Sequence, residues 1–337
     1  MVKVRRCIPT AGIAALAISI VLVLYVSFGS YMLPETTLNP FAQTSVQLDR
    51  LPQLNTSNVS EGNIPRILLV SAFFPLSQSK HSLEDYASWM KRFLGPITTD
   101  VYFFTTPGVE PMIHDLRDGL PLTVNTSFPS PFAIPPLRDF VAQYEEMHEW
   151  DRERARHSPE LYATWNAKAY FLEEGLRNLV ATSGVEYDYA FWSDAGSFRD
   201  EHVFSAWPDG ARVEDVFAQA AQESGTPKDE LIFLPIWNPP ETRMRFWTEE
   251  DGPIDNEFSE GSFFGGAPAA IAWYRNLFYT YHDAYRARDL FVGKDQTLIN
   301  ALLTLFPSRF ATVWLFGRDD LAVPLNAETP HGSCGST

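Results

Sequence analysis

A chain of 337 residues, 45 % apolar and 20 % charged, holds enough apolar material for one large folded domain or two small ones. Its formal net charge is −16, and all 42 acidic residues lie beyond an uncharged apolar run, whereas Lys3, Arg5 and Arg6 precede it. A surface that acidic repels a phosphate backbone, which argues against a nucleic-acid partner.

The uncharged run is residues 11–29, AGIAALAISIVLVLYVSFG. As a helix it is about 28 Å long, close to the hydrocarbon thickness of a bilayer. Positive charge only on its N-terminal side places residues 1–10 in the cytosol and the rest of the chain in the lumen of the secretory pathway. A cleaved signal peptide is the rival reading; its apolar core is shorter, about 7–15 residues, so the length favours a retained transmembrane signal anchor. Cys7 and Cys334 are the only cysteines. The anchor separates them, so the lumenal domain folds without an internal disulfide. Cys7, at the cytosolic border, is a candidate for palmitoylation.

Residues 30–62, with Pro34, Pro40 and Pro52 among Ser, Thr, Asn and Gln, lack periodicity and read as a flexible stem. Three N-x-S/T sequons, at Asn55, Asn58 and Asn125, fall on the lumenal side as glycosylation acceptors should. Residues 63–337 form the lumenal domain. RILLVSAFF (66–74) is a short, continuously apolar run, the pattern of a strand buried on both faces. Ser82 and Asp85 make a capping-box start for a helix whose Leu83, Tyr86, Trp89, Met90 and Phe93 share a face; Gly95-Pro96 ends it. DVYFFT (100–105) is a second buried strand, and the β-α-β order predicts a parallel sheet.

Residues 107–136, rich in proline, read as a long surface loop. Helical patterns follow over 137–157 and 165–182, then a third buried strand in YDYAFWS (187–193) and a fourth in ELIFLP (230–235). GSFFGG (261–266) reads as a glycine-rich loop opening into a helix over 268–288. A further helix starts at GKDQ (293–296), and FATVWL (310–315) is a last strand. The predicted class is α/β: a single domain with a mixed, mostly parallel sheet flanked by helices.

In open α/β sheets ligands bind beyond the carboxyl ends of strands. Asp194, just past YDYAFWS, is therefore the sharpest candidate, and its plain alternative is a turn cap before a helix at 198–207. Lys168 and Arg177 lie on the preceding helical stretch, the glycine pairs of GSFFGG permit close backbone approach to a ligand, and Asp295 sits in a first helical turn, where the dipole favours a carboxylate. Each has an ordinary structural alternative: solvated helix charges, a tight turn, an N-terminal cap.

Taken in order, an F-F segment, the WNAKAYFL helix (165–172), the FWSDAGSFR strand end (191–199), the G-G segment and the D-Q helix resemble the HtrL/YibB-like family, with its GT-A-type glycosyltransferase-like fold. The likeness spans about residues 64–310. It implies a nucleotide-sugar donor contacted by Asp194, with Lys168 or Arg199 near its diphosphate, and an acceptor near Gly265, Gly266 and Trp192. Asp295 would be the catalytic base or a sugar-hydroxyl contact, with Glu257 and Glu260 as rivals. Where a D-x-D protein carries its second acid, the main metal ligand, this chain has Gly196. A Mn²⁺ or Mg²⁺ site on Asp194 then needs Asp200, His202 or His331 to complete it, and positive side chains are the alternative partners of a leaving diphosphate.

Two other classes stay open. One is a catalytically inactive glycan-binding or scaffold protein that kept the fold. The other is a hydrolase using paired carboxylates among Asp255, Glu257 and Glu260. No G-x-S-x-G, H-E-x-x-H, P-loop or G-x-G-x-x-G motif occurs. The expectation is a single-pass type II glycosyltransferase of the Golgi or ER membrane, acting on a glycan, protein or lipid acceptor.

Overall fold

A computed structural model describes residues 64–315. The predicted anchor and stem, Asn55, Asn58, both cysteines and His331 lie outside the described residues. Among the described residues no helix is long and apolar enough to cross a membrane.

Seven strands form one sheet: β1 (Ile67–Ala72), β2 (Asp100–Phe104), β3 (Leu122–Asn125), β4 (Tyr189–Ser193), β5 (Ile232–Ile236), β6 (Phe263–Gly266) and β7 (Phe310–Trp314). Their order is β3-β2-β1-β4-β6-β5-β7, and only β6 runs antiparallel to its neighbours. Residues of β1 alternate between two cores. Leu68 and Val70 face one that holds Phe171, Leu172 and Tyr274, while Ile67 and Leu69 face another with Met90, Phe93 and Phe217. A sheet covered on both sides explains why its central strands read as unbroken apolar runs.

One face is covered by α1 (Leu83–Leu94), α2 (Glu110–Arg117) and α6 (Gly210–Ser224). The other carries α3 (Val141–Glu149), α4 (Pro159–Asn166), α5 (Lys168–Ser183), α7 (Pro268–Arg286) and α8 (Asp295–Leu305). α1 begins with the expected capping box of Ser82 and Asp85, although Leu83 of its predicted apolar face is exposed.

Several expectations are corrected. Residues 107–136 are no long loop, because they contain α2 and the edge strand β3. Pro111 falls in the first turn of α2, where no amide hydrogen is needed. α2 is then pinned by the buried Arg117 guanidinium, which donates to the carbonyls of Leu94 (2.8 Å), Ile97 (2.6 Å), Thr99 (2.6 Å) and Pro121 (2.8 Å). The helical pattern over 137–157 shrinks to α3, and residues 198–207 form no helix. The helix on that stretch of chain is α6, capped by Asp209, whose side chain accepts from Arg212 N.

GSFFGG is the largest correction. Gly265 and Gly266 lie inside β6, buried between β4 and β5. A Cβ at Gly265 would stand 2.1 Å from the Ala190 carbonyl oxygen, and one at Gly266 2.5 Å from that of Leu231. The close approach these glycines permit is strand to strand, so they do not form an acceptor site. The sequon at Asn125 is likewise in a strand: its Nδ2 donates to the Tyr102 hydroxyl at 2.9 Å, instead of standing free in a loop.

Candidate active site

β1 leads through α1 to β2 on one side, while β4 lies on its other side, so the crossovers diverge between β1 and β4. The carboxyl ends of these two strands open into a cleft of about 610 Å³, whose lining includes Phe73, Lys168, Trp192, Asp194, Glu260 and Asp295. This is the crevice in which open α/β sheets bind ligands.

Asp194 follows the last residue of β4, and its amide donates to Ser262 O at 2.9 Å, which ties it to the start of β6. Its Oδ1 accepts from Trp192 Nε1 at 2.6 Å. Lys168 is the first residue of α5, set off from α4 by a break at Ala167. Its side chain is buried, with Nζ 3.1 Å from Asp194 Oδ1, 3.1 Å from Asp295 Oδ2 and 3.1 Å from Gly261 O. Burial pulls the ammonium down, but the two carboxylates outweigh it and hold Lys168 above its ordinary pKa.

The preceding Asn166 fixes this geometry. Fully buried, it donates to the Tyr144 hydroxyl at 3.1 Å and to Val292 O at 2.8 Å, which binds the α4–α5 joint to the segment leading into α8. The W-N-x-K pattern thus supplies a cleft wall, a clamp and a buried cation in four residues. Arg177, by contrast, is an exposed neighbour of Glu174 on α5.

Asp295 opens α8 as expected. Its Oδ1 accepts from Gln296 N at 2.9 Å, and burial followed by the charge of Asp194 raises its pKa, with Lys168 opposing. Gly261 packs closely beside it: a Cβ there would meet Asp295 Oδ2 at 3.2 Å. Glu260 joins the group: its Oε1 accepts from Ser262 N at 2.9 Å, and burial, then Asp194, raises its pKa. Two carboxylates therefore close on one ammonium, with Glu260 near enough to feel the charges of Asp194 and Lys168.

The other predicted residues separate. Glu257 is half exposed, pairs with Lys294 at 3.4 Å, and lines a shallow depression with Arg152 and Asp255 away from this group. Asp255 is bound to Arg152. Asp255 and Glu257 share that depression while Glu260 lies in the cleft, so the three acids considered for a hydrolase do not meet in one site. Gly196 packs against rings: a Cβ there would come within 3.3 Å of Trp89 and 3.4 Å of Tyr86. Arg199 stacks on the same Trp89, its guanidinium carbon 4.6 Å from the ring centroid.

His202 lines the cleft but has no free ring nitrogen. Nδ1 accepts from Phe204 N at 3.1 Å, which leaves Nε2 to donate to Arg92 O at 2.9 Å. Among the described residues no three His, Cys, Asp or Glu side chains are arranged to hold a metal ion. The inner side of Asp194 is already taken by an ammonium, so these residues do not fit a divalent cation held in the D-x-D manner.

Sequence reasoning missed one wall. His157 lines the cleft, and its Nδ1 lies 2.8 Å from Asp151 Oδ2, which also accepts from the Tyr162 hydroxyl at 2.5 Å. The run DRERARH carries no motif and falls in the stretch 137–157 read as helical; only the fold turns it over the cleft.

No family model matches this chain, and no curated protein does. Membership of the HtrL/YibB-like family is thus not shown. Solved structures do match, among them the apo crystal structure of mouse xyloside xylosyltransferase 1, at 9 % identity and a TM-score of 0.41, covering 74 % of this chain and 85 % of that one. So remote a likeness decides nothing about chemistry, which has to be read from the cleft.

Proposed function

We propose that this chain is a nucleotide-sugar-dependent glycosyltransferase of GT-A type, held in the Golgi or ER membrane by residues 11–29 with its catalytic domain in the lumen. The observation that carries the reading is the convergence of Asp194, Lys168, Asp295 and Glu260 at the carboxyl ends of β1 and β4, on the floor of an aromatic-walled cleft. A cleft of about 610 Å³ is of the size that takes a small-molecule ligand.

Asp194 meets the donor, and Trp192 fixes the rotamer of its carboxylate. An acceptor hydroxyl attacks the anomeric carbon; the new C–O bond forms as the bond to the diphosphate oxygen breaks, and the nucleoside diphosphate leaves. The acceptor proton passes to Glu260. Asp295 is the weaker candidate base, since Lys168 and Gln296 N occupy it. A group whose pKa lies above the ordinary carboxylate range suits proton transfer near neutrality.

A thermal-shift screen of the full-length chain in detergent against uridine, guanosine and cytidine sugar nucleotides tests this. Selective stabilisation by one nucleotide supports the reading. A flat response from folded, monodisperse protein rejects it in favour of a catalytically inactive glycan-binding protein. That second reading draws on Gly196 and on the occupied inner side of Asp194.

A further inference from the structure

In so acidic a protein, basic side chains are mostly neutralised. Arg66, Arg92, Arg152, Lys228 and Arg275 each sit in an ion pair with a carboxylate. At one end of the cleft the pattern breaks. Lys80 and Arg199 both line it, and among the described residues neither is ion-paired. Arg199 instead lies over Trp89 and donates weakly to Gly196 O at 3.4 Å. His81 is packed edge-on against the same Trp89, its ring centroid 4.8 Å away. Its pKa is lowered, first by burial and then by the charges of Arg199 and Lys80, with Asp85 opposing. Two cations that repel a third basic group, with no counter-ion of their own, lack an anion.

The floor of the cleft already holds a cation, Lys168. A divalent cation bridging Asp194 and Asp295 would have to occupy the position its ammonium holds, 3.1 Å from each carboxylate and 3.1 Å from Gly261 O. Gly196 supplies no second acid, and Trp89 and Tyr86 fill the space beside it. Lys168 is itself saturated, so it cannot be the residue that neutralises a diphosphate, as the sequence suggested.

We propose that the cleft binds the diphosphate of its donor without a divalent metal, on Lys80, His81 and Arg199, while the Lys168 ammonium fills the cation position between Asp194 and Asp295. The inference rests on the glycosyltransferase reading and specifies how that site handles charge. Arg199 and Lys80 donate charge-assisted hydrogen bonds to phosphate oxygens. Neutral His81 donates one N–H. The charge that develops on the leaving diphosphate is met by fixed side chains.

The test is calorimetric titration of the full-length chain with uridine and guanosine diphosphates, in EDTA and again in MnCl₂. The probes are compared on wild type, Lys80→Gln and Arg199→Gln. The expected result is an affinity in EDTA within about twofold of that in Mn²⁺, and a loss on the order of tenfold in each variant with the unliganded melting temperature unchanged. Lys80 is exposed and makes no contact the fold needs, so its variant keeps the test sound even if Arg199→Gln folds poorly. Binding that requires Mn²⁺, or that is equal in wild type and Lys80→Gln, overturns the metal-free site and leaves the glycosyltransferase reading standing. No diphosphate binding in either medium overturns both.

Discussion

At the scale of residues, the candidate site is an electrostatic cluster in which every charge depends on another. Removing Lys168 leaves Asp194, Asp295 and Glu260 facing one another with no cation. Lys168→Met is expected to cost about 3–5 kcal/mol, the usual penalty for breaking a buried pair. The sign of its pH dependence follows from linkage. In wild type, Asp295 and Glu260 already have raised pKa values, so between the unfolded and folded values the native state binds more protons and stability falls as pH rises. Without Lys168 those values rise further, and the deficit should shrink as pH is lowered from 7 toward about 5. Denaturant unfolding at several pH values checks this; a deficit independent of pH would contradict the cluster. The wild-type Lys168 contribution has the same sign in a different window: its pKa is raised, so it persists through neutrality and fades only in strong alkali. Asp194 is 29 % exposed, and Asp295 remains when it is lost. Asp194→Ala should therefore cost only about 1–2 kcal/mol. Asp194→Asn, which can still accept from Trp192, should cost less.

At the scale of elements, what was legible in the sequence was whatever leaves a local periodic trace. β1, β2, β4, β5 and β7 showed as apolar runs, and the capping box of α1 stood in plain view at Ser82 and Asp85. What escaped was set by partners distant in the chain. β6 was hidden because glycine in a strand looks like a turn, and its two glycines make sense only once β4 and β5 flank them. α2 was hidden by prolines that mark its start. Gly265→Ala tests the reassignment. A methyl 2.1 Å from the Ala190 carbonyl oxygen and 2.7 Å from Phe191 Cα cannot be accommodated without separating β4 from β6. The expected loss is about 3 kcal/mol or more, seen as poor expression or a collapsed melting temperature. A normally stable Gly265→Ala would mean that the strand register is wrong. The site was legible in the same uneven way. Asp194 and Asp295 were found because strand ends and helix starts are visible locally. Lys168 was found too, but its partners were not, since only the fold shows both carboxylates closing on it. Glu257 and Glu260 looked equivalent in DNEFSEG, yet three residues of chain separate a solvated ion pair from the cleft floor.

At the scale of the whole molecule, the described domain supplies the cleft, and the proposed anchor would give it a location. If residues 11–29 anchor the chain with its bulk in the lumen, the protein should resist alkaline carbonate extraction. It should also lose mass on glycosidase treatment through Asn55 and Asn58. Asn125→Gln should change that mass little, because the amide nitrogen of Asn125 is engaged by Tyr102 in the folded sheet. Recovery of the unglycosylated chain in the soluble fraction would remove the secretory setting. The chemistry would still rest on the cleft. The proposed function requires that Asp194, just past β4, and Glu260, just before β6, serve transfer from a sugar nucleotide. The most direct measurement is release of nucleoside diphosphate from a panel of sugar nucleotides, by wild type and by Asp194→Asn and Glu260→Gln variants with matched melting curves. Release from one donor in wild type, falling on the order of a hundredfold or more in both variants, is the predicted result; release from none, or at equal rates in all three proteins, would contradict it.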